Sequence, residues 1–407
     1  MNDKQMNSKD RFDIIYMCAG SLEDKVWINT HRIGLELSKR NRVLFVEVPV
    51  RSYFSLFKVK NLRELRQKLS GLFFKSNNLI IYKPLHIIPI FLHFGAIRKI
   101  NKILLRFMLV WRIRKIIQNL GFKSHILWIY YIEDHHYFIG KFKEQMVIYD
   151  CVDNISTFPR FTIPWYKKRI EIIERKVLKK SNIVFATTKK LVEIKRKIQP
   201  HVYYVPNVGD FEHFNKVATN NLSIPEDILK IKKPIIGYIG TLRRYRINFS
   251  LINFIAKRHP EWSIVLIGPF VEQERDTFPE GKNIYYLGWR NYRILPNYIK
   301  AFDVCILPYD FNNHTTYAFP LKFWEFMATG KPIVASYLPA LEEFADLVPI
   351  VKTKEEFVSS IETLLEKGDD KKYERINLAE KNTWSKRVDI MLEIISSYLY
   401  SIKRVDS

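Results

Sequence analysis

Short runs of continuously apolar residues alternate with helical patterns along most of this 407-residue chain. FDIIYMCAG, NRVLFVEVP, SHILWIYYI, MVIYDCVD and SNIVFATT recur in the first half, and PIIGYIG, WSIVLIGP, DVCILPY and KPIVASY in the second. Strands that are apolar throughout, rather than at alternate positions, are typical of parallel sheets covered on both faces. The pattern therefore predicts an α/β fold built as two successive units.

The break between the two units is expected after VYYVPN. The stretch NLSIPEDILKIKKP that follows is polar and proline-bearing, and the strand-helix alternation restarts at Pro234. A chain of this length fits two domains, each with its own core. We predict a first domain at 1–206, a second at 207–385, and a closing amphipathic helix at 386–407 that crosses back to the first domain.

Composition limits the environment and the partners. The formal net charge of +24 predicts a negatively charged partner, which could be nucleic acid, an anionic membrane face or a phosphorylated substrate. The cysteines, which lie in or at the end of apolar runs, indicate a reducing compartment without a disulfide framework: Cys18, Cys151 and Cys305. The polar residues 1–13 read as a short lead without a signal peptide. The apolar stretch 84–97 is too short to cross a bilayer.

GYIGTLRRYR at 237–246 follows the start of a strand and suggests a phosphate-binding turn. The spacing of Gly237 and Gly240 predicts a tight turn whose backbone N-H groups can approach an anion. Positive charge would come from one of three arginines, Arg243, Arg244 or Arg246. A plain connection between a strand and a helix is the alternative.

PLKFWEFMATGKPIVAS at 320–336 reads as a helix followed by a buried strand, with Pro320 at the first helical position and Gly330 as the stop. Lys322 in the first turn faces the positive end of the helix dipole, which a bound diphosphate would offset. Glu325 lies on nearly the same face and can accept hydrogen bonds from sugar hydroxyls. The alternative is an ordinary i, i+3 ion pair on a solvated face.

The order of GYIGTL, LIGP, YLGW, ILPY and PLKFWEFMATGKPIVAS resembles the donor half of GT-B glycosyltransferases, particularly the family 4-like and teichuronic acid glycosyltransferases of bacterial surface polysaccharide synthesis. VPNVGDFEHF is similar to the interdomain segment of that family, and the closing helix with Trp384 to its crossover helix. The resemblance implies two Rossmann-like domains that face a central cleft.

The resemblance also implies roles for residues. Glu325 would hold the ribose of a nucleotide-sugar, with UDP expected, Lys322 and the Gly240–Thr241 turn would hold the diphosphate, and Trp289 would border the base. The full set expected at the donor is Gly240, Thr241, Arg243, Arg244, Trp289, Tyr317, Leu321, Lys322 and Glu325. Tyr317 stands where many family members carry a second glutamate. No metal and no cofactor are expected.

In the first domain, MVIYDCVDNIS places two carboxylates at a strand end, where one could serve as the base that an inverting sugar transfer needs. Similarity to xanthan-type enzymes favours Asp153 over Asp150, and the alternative for both is a turn cap. Asp24 and His31 are candidates for the acceptor side. A metal site at EDHH (133–136) is not expected, because adjacent histidines point in different directions.

Residues 51–120 carry fifteen Lys or Arg and one acid, Glu64. Within this region Arg98, Lys102 and Arg106 form a basic row, opposite an apolar stripe of Ile100, Ile103, Leu104, Phe107 and Trp111. Such a helix suits docking on an anionic membrane, although the stripe could instead pack on the domain core. No recognised nucleic-acid module accounts for the charge.

These observations predict a cytoplasmic glycosyltransferase, peripheral on the inner face of the plasma membrane. It would move a sugar from a nucleotide-sugar to a lipid-linked glycan acceptor in cell-surface polysaccharide synthesis. Two alternatives remain open: a non-catalytic GT-B-like scaffold, which the residue at Tyr317 supports, and a UDP-sugar epimerase of the same fold.

Overall fold

Two mostly parallel sheets organise the chain, as the apolar runs predict. The computed structural model describes residues 11–24, 27–47, 71–84, 95–130, 132–219, 221–270 and 272–405. Within them an eight-stranded sheet has the order β3-β4-β2-β1-β5-β6-β7-β8, and a six-stranded sheet the order β11-β10-β9-β12-β13-β14. All neighbouring strands are parallel except β3 and β4. The predicted α/β class with two successive units is confirmed.

The first sheet is formed by β1 (Asp13–Met17), β2 (Arg42–Val46), β3 (Leu72–Phe74), β4 (Leu79–Tyr82), β5 (His125–Ile129), β6 (Met146–Cys151), β7 (Ile183–Ala186) and β8 (Val202–Tyr204). The second is formed by β9 (Ile235–Ile239), β10 (Ser263–Ile267), β11 (Ile284–Gly288), β12 (Val304–Leu307), β13 (Ile333–Ser336) and β14 (Ile350–Val351). Seven of the fourteen strands are buried at every residue, as expected for sheets covered on both faces.

The helices in chain order are α1 (Asn29–Ser38), α2 (Gly95–Asn119), α3 (Ile132–His135), α4 (Pro164–Lys180), α5 (Lys189–Arg196), α6 (Phe211–Phe214), α7 (Lys216–Thr219), α8 (Glu226–Leu229), α9 (Phe249–Arg258), α10 (Leu295–Ala301), α11 (Leu321–Thr329), α12 (Lys354–Lys367), α13 (Lys372–Lys381) and α14 (Trp384–Val405). Short 3-10 turns lie at His136–Phe138, Ile155–Thr157, Pro159–Phe161, Glu272–Thr277, Tyr292–Ile294, Thr315–Tyr317 and Glu342–Phe344.

Helices cover both faces of the first sheet. The inner sides of α2 and α4 pack on one face, in a cluster with Ile15, Leu44 and Leu127. Helix α1 packs on the other face together with α14, which begins at Trp384 and contributes Val388, Met391, Leu392 and Ile395. The last helix of the chain therefore crosses back to the first domain, as predicted.

Gly237 lies inside β9 and not in the predicted turn. A Cβ at this position would come within 2.2 Å of the Phe302 ring, so the glycine serves the packing of the strand. Cys18, Cys151 and Cys305 are buried and unpaired, and burial raises the pKa of each thiol to about 12.

Among the described residues, no helix combines the length and apolarity needed to cross a membrane. Residues 1–10 of the lead predicted at 1–13, and residues 85–94 of the apolar stretch, lie outside the described residues, and Asp13 already belongs to β1.

Candidate active site

A cleft of about 670 Å³ lies between the two sheets and is lined by residues of both domains. In the second sheet β9 pairs with β10 on one side and β12 on the other, so the chain order reverses at β9. Ligands of open α/β sheets bind outside the carboxyl ends of strands at such a reversal. The cleft opens at this point, with Gly240 and Thr241 at the end of β9 in its wall.

Helix α11 points its first turn into the cleft. Pro320 is the N-cap and the helix begins at Leu321, so the expectation that Pro320 occupies the first helical position is wrong by one residue. Gly330 ends the helix with φ 69°, as expected for a left-handed cap. Lys322 Nζ donates a hydrogen bond of 2.5 Å to Glu325 Oε2. Their side chains are 21% and 10% exposed, so the pair is not on a solvated face.

The backbone at the end of β9 forms a tightly packed floor. The Gly240 N-H donates to the Ile267 carbonyl at 2.9 Å. Gly268 adopts φ 143°, and a Cβ at that position would lie 1.9 Å from the Gly240 carbonyl oxygen. Only a glycine permits this approach, which brings the ends of β9 and β10 together beneath a ligand.

One arginine of the three enters the cleft, and it is Arg246. Arg244 is exposed and its backbone N-H donates to Glu274, while Arg243 is half-buried; neither lines the cleft, contrary to the expectation that they contact the donor. Burial acts to lower the pKa of Arg246, but the neighbouring Asp153 carboxylate and tyrosines raise it overall. Its Nε has no hydrogen-bond partner among the described residues. Arg246 is thus a half-buried cation whose Nε is available to an anion.

Asp153 and Asp150 occupy different environments although they are three residues apart. Asp153 follows β6, is half-buried and lines the cleft; burial raises its pKa to about 6, against the opposing charge of Arg246. Asp150 lies within β6 and is 1% exposed. Its Oδ1 is 3.8 Å from Arg387 Nη2 on α14, and burial raises its pKa to about 6 against the charge of that arginine. Both residues line the cleft, but Asp150 is paired with Arg387, so Asp153 is the better candidate to contact a ligand.

A buried asparagine that the sequence did not single out joins the two domains. Asn207 Oδ1 accepts from Asn29 Nδ2 at 2.6 Å and from Arg387 Nη1 at 3.0 Å, and Asn207 Nδ2 donates to the Phe319 carbonyl at 2.7 Å. These bonds connect α1, α14 and the segment that leads into α11. The VPN segment therefore fixes the donor helix relative to the first domain.

The loop after β12 closes one side of the cleft against the first domain. His314 Nδ1 shares a hydrogen bond of 3.3 Å with Thr157 Oγ1, and the His314 ring packs edge-on against Phe158 with centroids 4.4 Å apart. Burial and the charge of Arg246 lower the pKa of His314 to about 4, so the imidazole is neutral at ordinary pH. Tyr317, expected at the donor, instead packs against the core of the first domain and does not line the cleft.

Of the four remaining candidate residues, two line the cleft and two do not. Trp289 and Leu321 line the cleft, as expected. His31 is buried, accepts from the Ile28 N-H at 3.1 Å and lies 3.5 Å from Asp24 Oδ2. Neither His31 nor Asp24 lines the cleft, whose wall here is formed by their neighbours. Among the described residues, no group of three His, Cys, Asp or Glu could hold a metal ion.

The chain is similar to known proteins in both sequence and structure. Residues 233–367 match the family described as Glycosyl transferases group 1. A protein named for teichuronic acid biosynthesis, the glycosyltransferase TuaH of Bacillus subtilis (strain 168), is 26% identical over 259 residues. That match covers 59% of this chain and 64% of TuaH.

Solved structures share the fold over nearly the whole chain. Sucrose-phosphate synthase from Thermosynechococcus elongatus superposes with a TM-score of 0.64 at 13% identity, covering 98% of this chain and 100% of that one. Anabaena Alr3699/HepE in complex with UDP and glucose gives 0.64 at 14% identity, covering 95% and 100%. The chain therefore has the GT-B fold that these structures share. The match to the group 1 glycosyltransferase family lies in its second domain.

Proposed function

We propose that this enzyme transfers a sugar from a UDP-sugar to a lipid-linked glycan acceptor at a membrane surface, in polysaccharide synthesis. One observation carries the proposal. The cleft brings Asp153 of the first domain opposite the anion-binding groups of the second, which are Arg246, Lys322 and the start of α11. A carboxylate with a pKa of about 6 facing half-buried cations suits base-assisted displacement of a diphosphate.

The donor would bind along the second domain. Its diphosphate would lie at the start of α11, where the helix dipole, Lys322 and Arg246 all favour negative charge. Glu325 would then release Lys322 and accept hydrogen bonds from the ribose hydroxyls. Trp289, which is 40% exposed at the cleft edge, would border the base. The complex of the structurally similar HepE protein with UDP and glucose supports UDP as the nucleotide.

The transfer step follows from the placement of Asp153. Its carboxylate accepts the proton of the acceptor hydroxyl while that oxygen bonds to the anomeric carbon. The bond from this carbon to the diphosphate oxygen breaks, and UDP leaves with the electron pair. Lys322 and Arg246 stabilise the charge that develops on the departing diphosphate. A single displacement of this kind inverts the anomeric configuration.

The lipid-linked acceptor and the anionic inner membrane face are proposed from helix α2. Its exposed stripe consists of Ile100, Ile103, Leu104, Phe107, Met108 and Trp111, whereas its opposite side, including Val110, Ile113 and Ile117, is buried in the core. The stripe therefore does not pack on the core of its own domain. Arg112, Arg114 and Lys115 add positive charge to the same helix. The side chains of Arg98 and Lys102 lie outside the described residues, while the Arg106 guanidinium lies over the Tyr137 ring.

The chain offers a matched test of the donor site. Lys371 and Glu374 form an i, i+3 pair at 3.0 Å on an exposed face of α13, with the same spacing as Lys322 and Glu325. Loss of hydrogen bonds to a charged group predicts that Glu325→Ala weakens UDP binding by about tenfold or more, whereas Glu374→Ala leaves it unchanged. Isothermal calorimetry with UDP, GDP and dTDP measures this. Equal UDP affinities for the two variants would refute the site, and a wild-type chain that binds no nucleotide would favour the scaffold.

A further inference from the structure

The N-cap and first turn of α4 expose two large apolar side chains close in sequence to residues that line the cleft. Ile163 is 51% exposed and Trp165 is 65% exposed. The turn is anchored, because Phe161 is buried and packs edge-on against Tyr166 with centroids 4.9 Å apart. Phe158 and Arg160, just upstream, line the cleft. The two exposed side chains thus form a fixed apolar tip at the cleft edge.

The outer face of α4 continues this tip with positive charge. Lys167, Lys168, Arg169, Arg175, Lys176 and Lys179 are exposed, and Glu171 is the exposed acid of the helix. Glu174 is buried and its Oε1 pairs with Lys195 Nζ at 2.7 Å, so it does not offset the surface charge. Aromatic and aliphatic groups beside clustered Lys and Arg are the composition of a segment that lies in an anionic membrane interface.

Helix α4 shares its side of the molecule with α2. Both pack their inner faces on the same side of the first sheet. Segment 132–141 joins them, since Arg114 Nε on α2 donates to the Lys141 carbonyl at 2.7 Å and Tyr166 on α4 hydrogen-bonds Glu133. Each helix leads from the carboxyl end of one parallel strand back to the start of another, so both begin at the cleft end of the sheet.

We propose that Ile163, Trp165 and the cations of α4 form a second membrane contact, which turns the cleft edge at Phe158 and Arg160 towards an anionic bilayer. Contacts on both α2 and α4 would fix the orientation of the first domain on the bilayer. In this orientation the acceptor glycan would emerge from the bilayer next to Asp153. Charge complementarity identifies the occupant as anionic lipid head groups. This inference rests on the proposed function for the lipid-linked nature of the acceptor.

Flotation with vesicles of phosphatidylglycerol and phosphatidylcholine tests the contact. The double variant Ile163→Ala/Trp165→Ala and the double variant Lys167→Glu/Lys168→Glu should each bind anionic vesicles at least about tenfold more weakly than the wild type. The controls come from exposed residues of the second domain and should bind normally: Tyr373→Ala for the apolar pair and Lys257→Glu/Arg258→Glu for the cations. Binding by both α4 variants at the wild-type level would overturn the proposal.

A labelling experiment does not depend on loss of binding. Cys18, Cys151 and Cys305 are buried, so an environment-sensitive maleimide dye should react selectively with Trp165→Cys. Its emission should shift to the blue with anionic vesicles, while the same dye at Tyr373→Cys should not respond. An unchanged spectrum at position 165 with bound vesicles would exclude insertion and favour a protein partner for this face.

Calorimetry with UDP on the same proteins separates the two proposals. Normal UDP binding with no vesicle binding in the wild type would overturn both membrane contacts and leave the donor site intact. Vesicle binding that is lost only in Phe107→Ala/Trp111→Ala would retain α2 and reject α4. Absent UDP binding with normal vesicle binding would refute the proposed function and leave the surface standing.

Discussion

The two domains contribute to the cleft in different ways. In the second domain the candidate donor residues lie at the end of β9 and in the loop after it, at Trp289 after β11, and in the first two turns of α11. In the first domain Asp150, paired with Arg387, and Asp153 line the cleft at the end of β6, while the proposed acceptor surface is spread over α2 and α4. Diphosphate recognition depends on local backbone geometry, whereas a membrane surface is recognised by exposed area and charge.

This difference explains why the family match falls on residues 233–367 and not on the first domain. A tight strand end and a helix start restrict which residues can occupy them. Many arrangements of apolar and basic side chains can hold a helix on a membrane. Similarity of sequence is therefore easier to detect in the donor half than in the acceptor half.

Asp153→Asn should have the largest effect, because it removes the proposed base. Transfer should fall by about a thousandfold, within the range for a positioned base, while the Kd for UDP stays the same. Asp150→Asn is the control, since Asp150 is buried against Arg387, and its transfer should stay within about tenfold of the wild type. Transfer rates measured with a radiolabelled donor test this prediction. A large loss in Asp150→Asn and a small loss in Asp153→Asn would identify Asp150 as the base instead.

Asn207→Ala should break the link between the domains. It leaves the Arg387 and Asn29 donors and the Phe319 carbonyl without their partner in a buried site, so the free energy of unfolding should drop by about 3 kcal/mol. Asn253 Oδ1 has no hydrogen-bond partner among the described residues, so Asn253→Ala should lower the free energy of unfolding far less. Urea unfolding measures both, and similar losses would contradict the special role of Asn207.

Arg246→Met should weaken UDP binding, because Arg246 is the one of the three arginines that lines the cleft. Loss of a charge-assisted contact to the diphosphate predicts UDP binding weaker by about tenfold to a hundredfold. Arg244→Met changes the same charge at an exposed position and should bind UDP normally. Equal losses in the two variants would indicate a general effect of charge and not a contact.

The pH dependence of transfer should show the smallest effect. Asp153 must be ionised to act as a base, so kcat/KM should fall as the pH drops through about 6 and be constant above it. The charge of Arg246 opposes the raised pKa of Asp153, so Arg246→Met should move this fall to higher pH. Steady-state rates between about pH 5 and 8, which spans the titration of such a carboxylate, test the direction of the shift. A shift to lower pH would rule out the pairing of the two charges.

Several features of the site follow from the sequence because they depend on local chemistry. Lys322 in the first turn of a helix is unfavourable without an anion, and the structure places it in the cleft beside Glu325. Gly330 and the apolar run that follows define the end of α11 and the start of β13. The apolar stripe of α2 has the helical spacing seen in the sequence. Its exposure to solvent follows from the way the helix packs on the first sheet, which the sequence pattern does not specify.

The sequence by itself determined the α/β class, the closing helix and the segments of the proposed donor site. Apolar runs, helix caps and glycines act over a few residues, so their meaning does not depend on distant parts of the chain. The tertiary structure decided which of three arginines faces the cleft, that Asp150 pairs with Arg387 while Asp153 is free to reach a ligand, and that Asn207 joins the domains. These outcomes depend on contacts between residues as far apart as Asp150 and α14, and a linear pattern carries no information about such distances.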